Sequence, residues 1–165
     1  MFVVRLSKTA LVAAVALFFA LVAFGNITDY VSNWQFVQHV LSMDTTFPNS
    51  SLHWRAITDP TLQAAGYSLI IATEIVVAAL LVIAALMMLF SLASRGFRRA
   101  KAVAVAGLTL GLLLYTVGFV AIGGEWFAMW QSQIWNGQQK AFEFIGMIGI
   151  VLVVVLLPED GSVFD

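Results

Sequence analysis

The chain has 165 residues, of which 61% are hydrophobic and 10% charged, and its formal net charge is −1. Soluble domains carry about 25% charged residues and nucleic-acid binders a basic excess, so this balance excludes a water-soluble globule and an electrostatic nucleic-acid site. With no cysteine there is neither a disulfide framework nor thiolate chemistry.

Crossing a hydrocarbon core of about 30 Å takes about 20 apolar residues, and four runs meet or approach that length. The first span is predicted over 7–28, entered from Arg5 and Lys8. Together with Ala23-Phe24-Gly25 this run also resembles a signal peptide, but its length and the loop and spans that follow favour an uncleaved helix. An outer loop is predicted over 29–67. Within it Tyr30, Trp34, Val37 and Leu41, spaced four, three and four apart, form one apolar stripe of a helix that Thr28 or Asp29 can cap. Such a helix can lie in the membrane interface, with His39 on the opposite side beside Ser32 and Gln35.

The second span is predicted over 68–94 and carries Glu74 near its outer boundary. The third, over 102–124, holds Gly107 and Gly111, a Gly-x-x-x-Gly pair that lets helices approach closely. The pair serves either packing within the protomer or a homodimer contact. A second outer loop, 125–137, leads to the fourth span, 138–157.

Charge sets the expected orientation. Arg5, Lys8, Arg95, Arg98, Arg99 and Lys101 fall on one side of the four spans, leaving only Arg55 and Lys140 on the other. Because cytoplasmic flanks carry the excess of Lys and Arg, both termini are expected inside. All five Trp and both His then lie outside. The expected fold class is an all-α membrane protein, a four-transmembrane-helix bundle with an ordered outer cap and a single domain.

Several strings resemble a signature of a bacterial family of predicted small integral membrane proteins, domain of unknown function 2165. They are Asn33-Trp34-Gln35-Phe36-Val37-Gln38-His39-Val40-Leu41-Ser42-Met43-Asp44-Thr45, Trp54-Arg55-Ala56-Ile57, Glu74, Gly123-Gly124-Glu125-Trp126-Phe127-Ala128-Met129-Trp130 and Trp135-Asn136-Gly137-Gln138. The resemblance covers roughly residues 6 to 158. It implies four spans in a bacterial inner (cytoplasmic) membrane and brings no activity, ligand or cofactor with it.

Candidate chemistry is sparse. Glu143 falls about 7 Å inside the outer leaflet at about 1.5 Å per residue, where a carboxylate needs a partner, water or a proton. Lys140 can pair with it at i,i+3 spacing. Glu74, at a comparable height, snorkels to the headgroups, pairs with Arg55 or Lys140, or converges with Glu143 on a cation or proton. His39 and His53 match no recognised metal or haem spacing, although Asp44 and Glu125 could complete a site. There is no Gly-rich phosphate loop, nucleophile elbow or His-Glu-x-x-His string.

Trp34, Trp54, Trp126, Trp130 and Trp135 suit either an interfacial belt or a protein-contact surface. The leading expectation is a non-enzymatic accessory, assembly or stabilising subunit that docks a membrane-protein partner through this aromatic face. The alternative is a small-ligand or ion-binding or transport bundle with a polar pocket around Glu74, Glu143, His39 and Arg55. No metal or cofactor is expected.

Overall fold

A computed structural model describes residues 2–159. Among these residues, four helices are long and apolar enough to cross a membrane: Phe2–Thr28, Pro60–Phe90, Phe97–Trp126 and Gln138–Leu156. In chain order the elements are α1 (Phe2–Thr28), α2 (Tyr30–Ser42), α3 (Pro60–Phe90), α4 (Phe97–Leu113), a π-helix (Leu114–Trp126) that continues α4 without a break, and α5 (Gln138–Leu156). Short 3-10 turns occupy His53–Arg55 and Met129–Gln131. There is no strand among the described residues.

The expected spans are present, with ends displaced for identifiable reasons. α3 begins at Pro60, eight residues before the predicted 68, because Asp59 caps it. The Asp59 carboxylate accepts the N–H groups of Thr61 at 2.7 Å and Leu62 at 3.2 Å, and Pro60 at the first helical position has no N–H to satisfy. Those two bonds also hold its carboxyl below the ordinary 3.8. At about 1.5 Å per residue, 31 residues measure about 46 Å, more than a bilayer core needs. The surplus at the Pro60 end becomes one wall of the cap. α4 begins at Phe97, so Arg98, Arg99 and Lys101 lie on the helix; the link between α3 and α4 is Ser91–Gly96.

α3 packs against α1 and α4, and α5 closes the ring by packing on α4, the π-helix and α1. One apolar core draws on all four long helices, including Val12 and Phe19, Val77 and Leu81, Leu108, and Ile148. Residues pointing outward are apolar as well: Leu17, Leu69, Ile83 and Ile150 are all exposed. A helix body apolar inside and out has lipid, not water, as its surroundings.

Gly107 and Gly111 are both buried within the protomer. A Cβ at Gly107 would stand 2.8 Å from the Leu81 side chain, and one at Gly111 2.7 Å from the Phe19 ring. The pair brings α4 against α3 and α1, so it is not available as a dimer face; the homodimer reading of this motif is corrected.

Helix carboxyl ends leave unpaired carbonyls, and none of the long helices has a basic residue in its last turn. Cations from elsewhere supply the missing donors. Arg5 on α1 donates to the carbonyls of Leu92 (2.9 Å) and Ser94 (3.1 Å), just beyond α3. Lys8, almost wholly buried, donates to the Val155 and Leu157 carbonyls at the end of α5. Glu159 then pairs with Lys101 (2.7 Å), Lys8 (3.4 Å) and Arg5 (3.5 Å). Lys101 donates to the Leu157 carbonyl as well, so three of the basic residues read as topology signals also lock helix ends together.

Candidate functional site

The cap is built at the opposite end from this basic cluster. α2 lays its stripe against α3. Tyr30 and Trp34 pack on Tyr67, with ring centroids 4.8 and 6.2 Å away, and Val37 and Val40 are buried. Asp29 precedes the helix but does not cap its backbone; its carboxylate accepts the Ser32 hydroxyl instead, at 2.9 Å. α2 therefore packs on protein along its stripe.

Buried Gln63 on α3 ties the parts together, its amide donating to the Ile57 carbonyl (2.7 Å) and to Ser42 Oγ (2.9 Å). The second loop is pinned to the first by a Thr45–Ser132 hydroxyl pair at 2.8 Å and by Gln131 Oε1, which accepts the Phe47 N–H at 3.1 Å. Met43 and Ala128 both adopt left-handed backbone (φ 54° and 51°) and both are buried in the cap's own core with Val40, Phe127 and Met129. Packing holds them in a conformation that L-residues disfavour by about 1–2 kcal/mol.

Arg55 organises the outer surface. Its guanidinium lies 5.4 Å from the Trp54 ring centroid and 4.7 Å from that of Trp126. It also donates to the carbonyls of Trp126 (3.2 Å) and Glu125 (3.5 Å), the last two residues of the π-helix. A cation at a helix carboxyl terminus meets both its unpaired carbonyls and its dipole. Around this clamp Trp54 is 71% exposed, and Trp126 and Trp130 are each 47% exposed. Phe47 stands edge-on to Trp130 at 5.8 Å.

The five Trp residues divide. Trp34 is half-buried against Tyr67, and Trp135 is half-buried against Phe36 and a stacked His39. Trp54, Trp126 and Trp130 remain on the surface. The His39 ring stacks on Trp135 of the second loop at 4.8 Å, while its Nδ1 meets Asp44 of the first loop at 2.8 Å. His53 meets the Thr46 hydroxyl at 2.9 Å. Among the described residues no three His, Asp or Glu side chains gather as a metal site.

The two carboxylates do not meet. Glu74 is buried between α3 and α1, where Asn26 Nδ2 donates to it at 2.6 Å. The Tyr67 hydroxyl continues the network, 3.3 Å from the Asn26 carbonyl and 3.4 Å from its side-chain oxygen. Snorkelling, and pairing with Arg55 or Lys140, are corrected for Glu74: it points inward to an amide. Glu143 takes the expected i,i+3 partner, Lys140, at 2.7 Å on the exposed side of α5. Asn26 is the residue sequence reasoning passed over. Its signal was a lone amide at the end of an apolar run, level with a lone carboxyl on the next span.

Beneath the cap lies a hollow of about 510 Å³ between α2, α3 and the π-helix. Its walls, among them Phe36, Val40, Ile70, Val117 and Ile122, are apolar, with Thr73 the one hydroxyl. Neither Glu74, Glu143, His39 nor Arg55 lines this hollow. The π-helix forms one wall. Such winding usually occurs as a single turn, often near functional positions, and here it runs for 13 residues.

No curated protein and no solved structure matches the chain. Its long apolar helices are those of an integral membrane protein. Residues 4–158 match the family described as predicted small integral membrane protein (DUF2165), and the chain belongs to that family.

Proposed function

We propose that the protein is a non-enzymatic accessory, assembly or stabilising subunit that docks a membrane-protein partner through the aromatic face of its cap. The basic end would lie in the cytoplasm of a bacterium, with both termini, and the cap outside the inner membrane. The observation that carries the reading is the Trp54–Arg55–Trp126 cluster. An interfacial belt needs Trp only at headgroup depth and tolerates mobile side chains. Here a guanidinium holds two large rings in place while leaving them exposed. Preorganised aromatic and Arg side chains are what contact hot spots contain, because little side-chain entropy is lost when a partner covers them. The test is extraction in mild detergent followed by mass spectrometry of bound proteins. A stoichiometric partner that is lost in the Trp54→Ala/Trp126→Ala double variant supports docking at this face; a partner retained by that variant contradicts it.

The apolar hollow favours a second reading, in which a small apolar ligand occupies the cap. In that case a defined lipid copurifies with the wild type and is absent from Ile70→Trp, which fills the space. Copurification unchanged by Ile70→Trp removes this reading.

A further inference from the structure

At the basic end, Arg5, Arg95, Arg98, Arg99 and Lys101 surround a hollow of about 810 Å³ with Pro158 and Glu159. Three of these seven have structural partners already: Arg5 and Lys101 bond main-chain carbonyls and Glu159, and Glu159 is neutralised by them and by Lys8. Arg95, Arg98 and Arg99 differ. They are exposed, and among the described residues they form no ion pair. Among the described residues, five cations thus line this hollow with one carboxylate that is itself engaged.

We propose that this hollow binds a phosphate group, that of an anionic phospholipid headgroup, with Arg98 and Arg99 as its principal ligands. Topology alone would be served equally well by Lys, and by cations scattered over a loop. The three unengaged cations are all Arg, whose planar fork matches phosphate oxygens. Two of them sit in the first turn of α4, where positive charge opposes the helix dipole. That turn has no acidic residue, and its Gly96 cap position supplies no side-chain acceptor. The chain therefore gathers cations at a helix end that already carries positive partial charge, an arrangement that an anion relieves from both sides. The hollow is lined from the start of α1, the link between α3 and α4, the first turns of α4 and the residues just after α5, so it lies at the ends of the long apolar helices, where headgroups of a surrounding bilayer would be met. A lipid seated there would keep its acyl chains along the exposed apolar faces of the helices.

The test is titration of the full chain, purified in a nonionic detergent, with phosphatidylglycerol, phosphatidylcholine or inorganic phosphate, with bound species counted by native mass spectrometry. The wild type should take up phosphatidylglycerol at least about tenfold more tightly than phosphatidylcholine. The Arg98→Gln/Arg99→Gln variant should lose that preference. Because removing charge can disturb insertion, Arg98→Lys/Arg99→Lys is the companion: it keeps the charge that sets topology and loses the fork, so its binding should fall several-fold without a change in orientation. Uptake of inorganic phosphate in place of lipid, lost in both variants, would retain the phosphate chemistry and assign it to a soluble phosphate compound. Equal uptake of the two lipids by the wild type, or phosphatidylglycerol binding unchanged in the Lys variant, overturns the proposal.

Discussion

The Arg55 guanidinium lies 4.7 Å from the centroid of the Trp126 ring and donates to the carbonyl of the same residue at 3.2 Å. One side chain thereby fixes both the side chain and the main chain at the end of the π-helix. Since Arg55 belongs to the first outer loop, it also joins the two halves of the cap. Truncation to Ala removes two cation–π contacts of about 0.5–1 kcal/mol each and hydrogen bonds of a charged donor worth about 1.5–3 kcal/mol in gross terms, all discounted here by exposure. Arg55→Ala is expected to loosen the cap by about 1–2 kcal/mol while leaving the spans intact. Hydrogen exchange should speed up over residues 125–132 and stay unchanged in α3; uniform exchange across both would contradict the clamp.

Glu74 and Asn26 make a second, sharper contrast. Gln in place of Glu74 keeps an oxygen for the Asn26 donor, so Glu74→Gln should insert and unfold much like the wild type. Glu74→Leu leaves the Asn26 amide buried and unpaired, at a cost of about 1–3 kcal/mol. The comparison is read from unfolding temperatures in detergent. A large loss in Glu74→Gln would show that charge at this position, and not its hydrogen bond, matters to the fold.

Gly111 separates packing within the protomer from packing between protomers. Its missing Cβ leaves room for the Phe19 ring, which is buried and has no space to retreat. Gly111→Ala should destabilise by about 1–3 kcal/mol through overpacking and leave the oligomeric mass unaltered. A changed mass at unchanged stability would return the motif to a dimer interface.

Much of the architecture is legible from length and periodicity alone, because a bilayer demands long apolar runs and the α2 stripe keeps a strict spacing. Helix ends are less so. Asp59-Pro60 is a start signal that the apolarity of 68–94 overshadows, and Arg98, Arg99 and Lys101 read as a link although they belong to the first turns of α4. The π-helix leaves no periodic trace; Gly118, Gly123 and Gly124 are its only hint. For the candidate site, residue type does not reveal direction. Trp34 and Trp135 look like Trp54 and Trp126 in sequence, yet the first two pack inside the cap. Glu143 finds its partner by local spacing, which sequence displays. Glu74 finds Asn26 across helices 48 positions apart, which sequence does not.

A pH dependence is expected at the basic end. Burial alone would raise the Glu159 carboxyl, but the Lys101 hydrogen bond and the charges of Lys101 and Lys8 outweigh it and hold the group below its ordinary value of 4.5. A depressed carboxyl stabilises the folded state fully above that ordinary value, and the contribution is lost as pH falls through the lowered one. Unfolding temperature should therefore drop on acidification below about 4.5 for the wild type, with a smaller drop for Glu159→Gln. Parallel curves for the two proteins would remove Glu159 from the account.

The docking surface is tested most directly by one comparison. Wild type and Trp54→Ala/Trp126→Ala are extracted in mild detergent at native abundance, and the proteins bound to each are identified and quantified by mass spectrometry. A stoichiometric membrane-protein partner is expected on the wild type, and its loss from a variant that still inserts. A wild-type chain recovered alone, or a partner held equally by both, would contradict it.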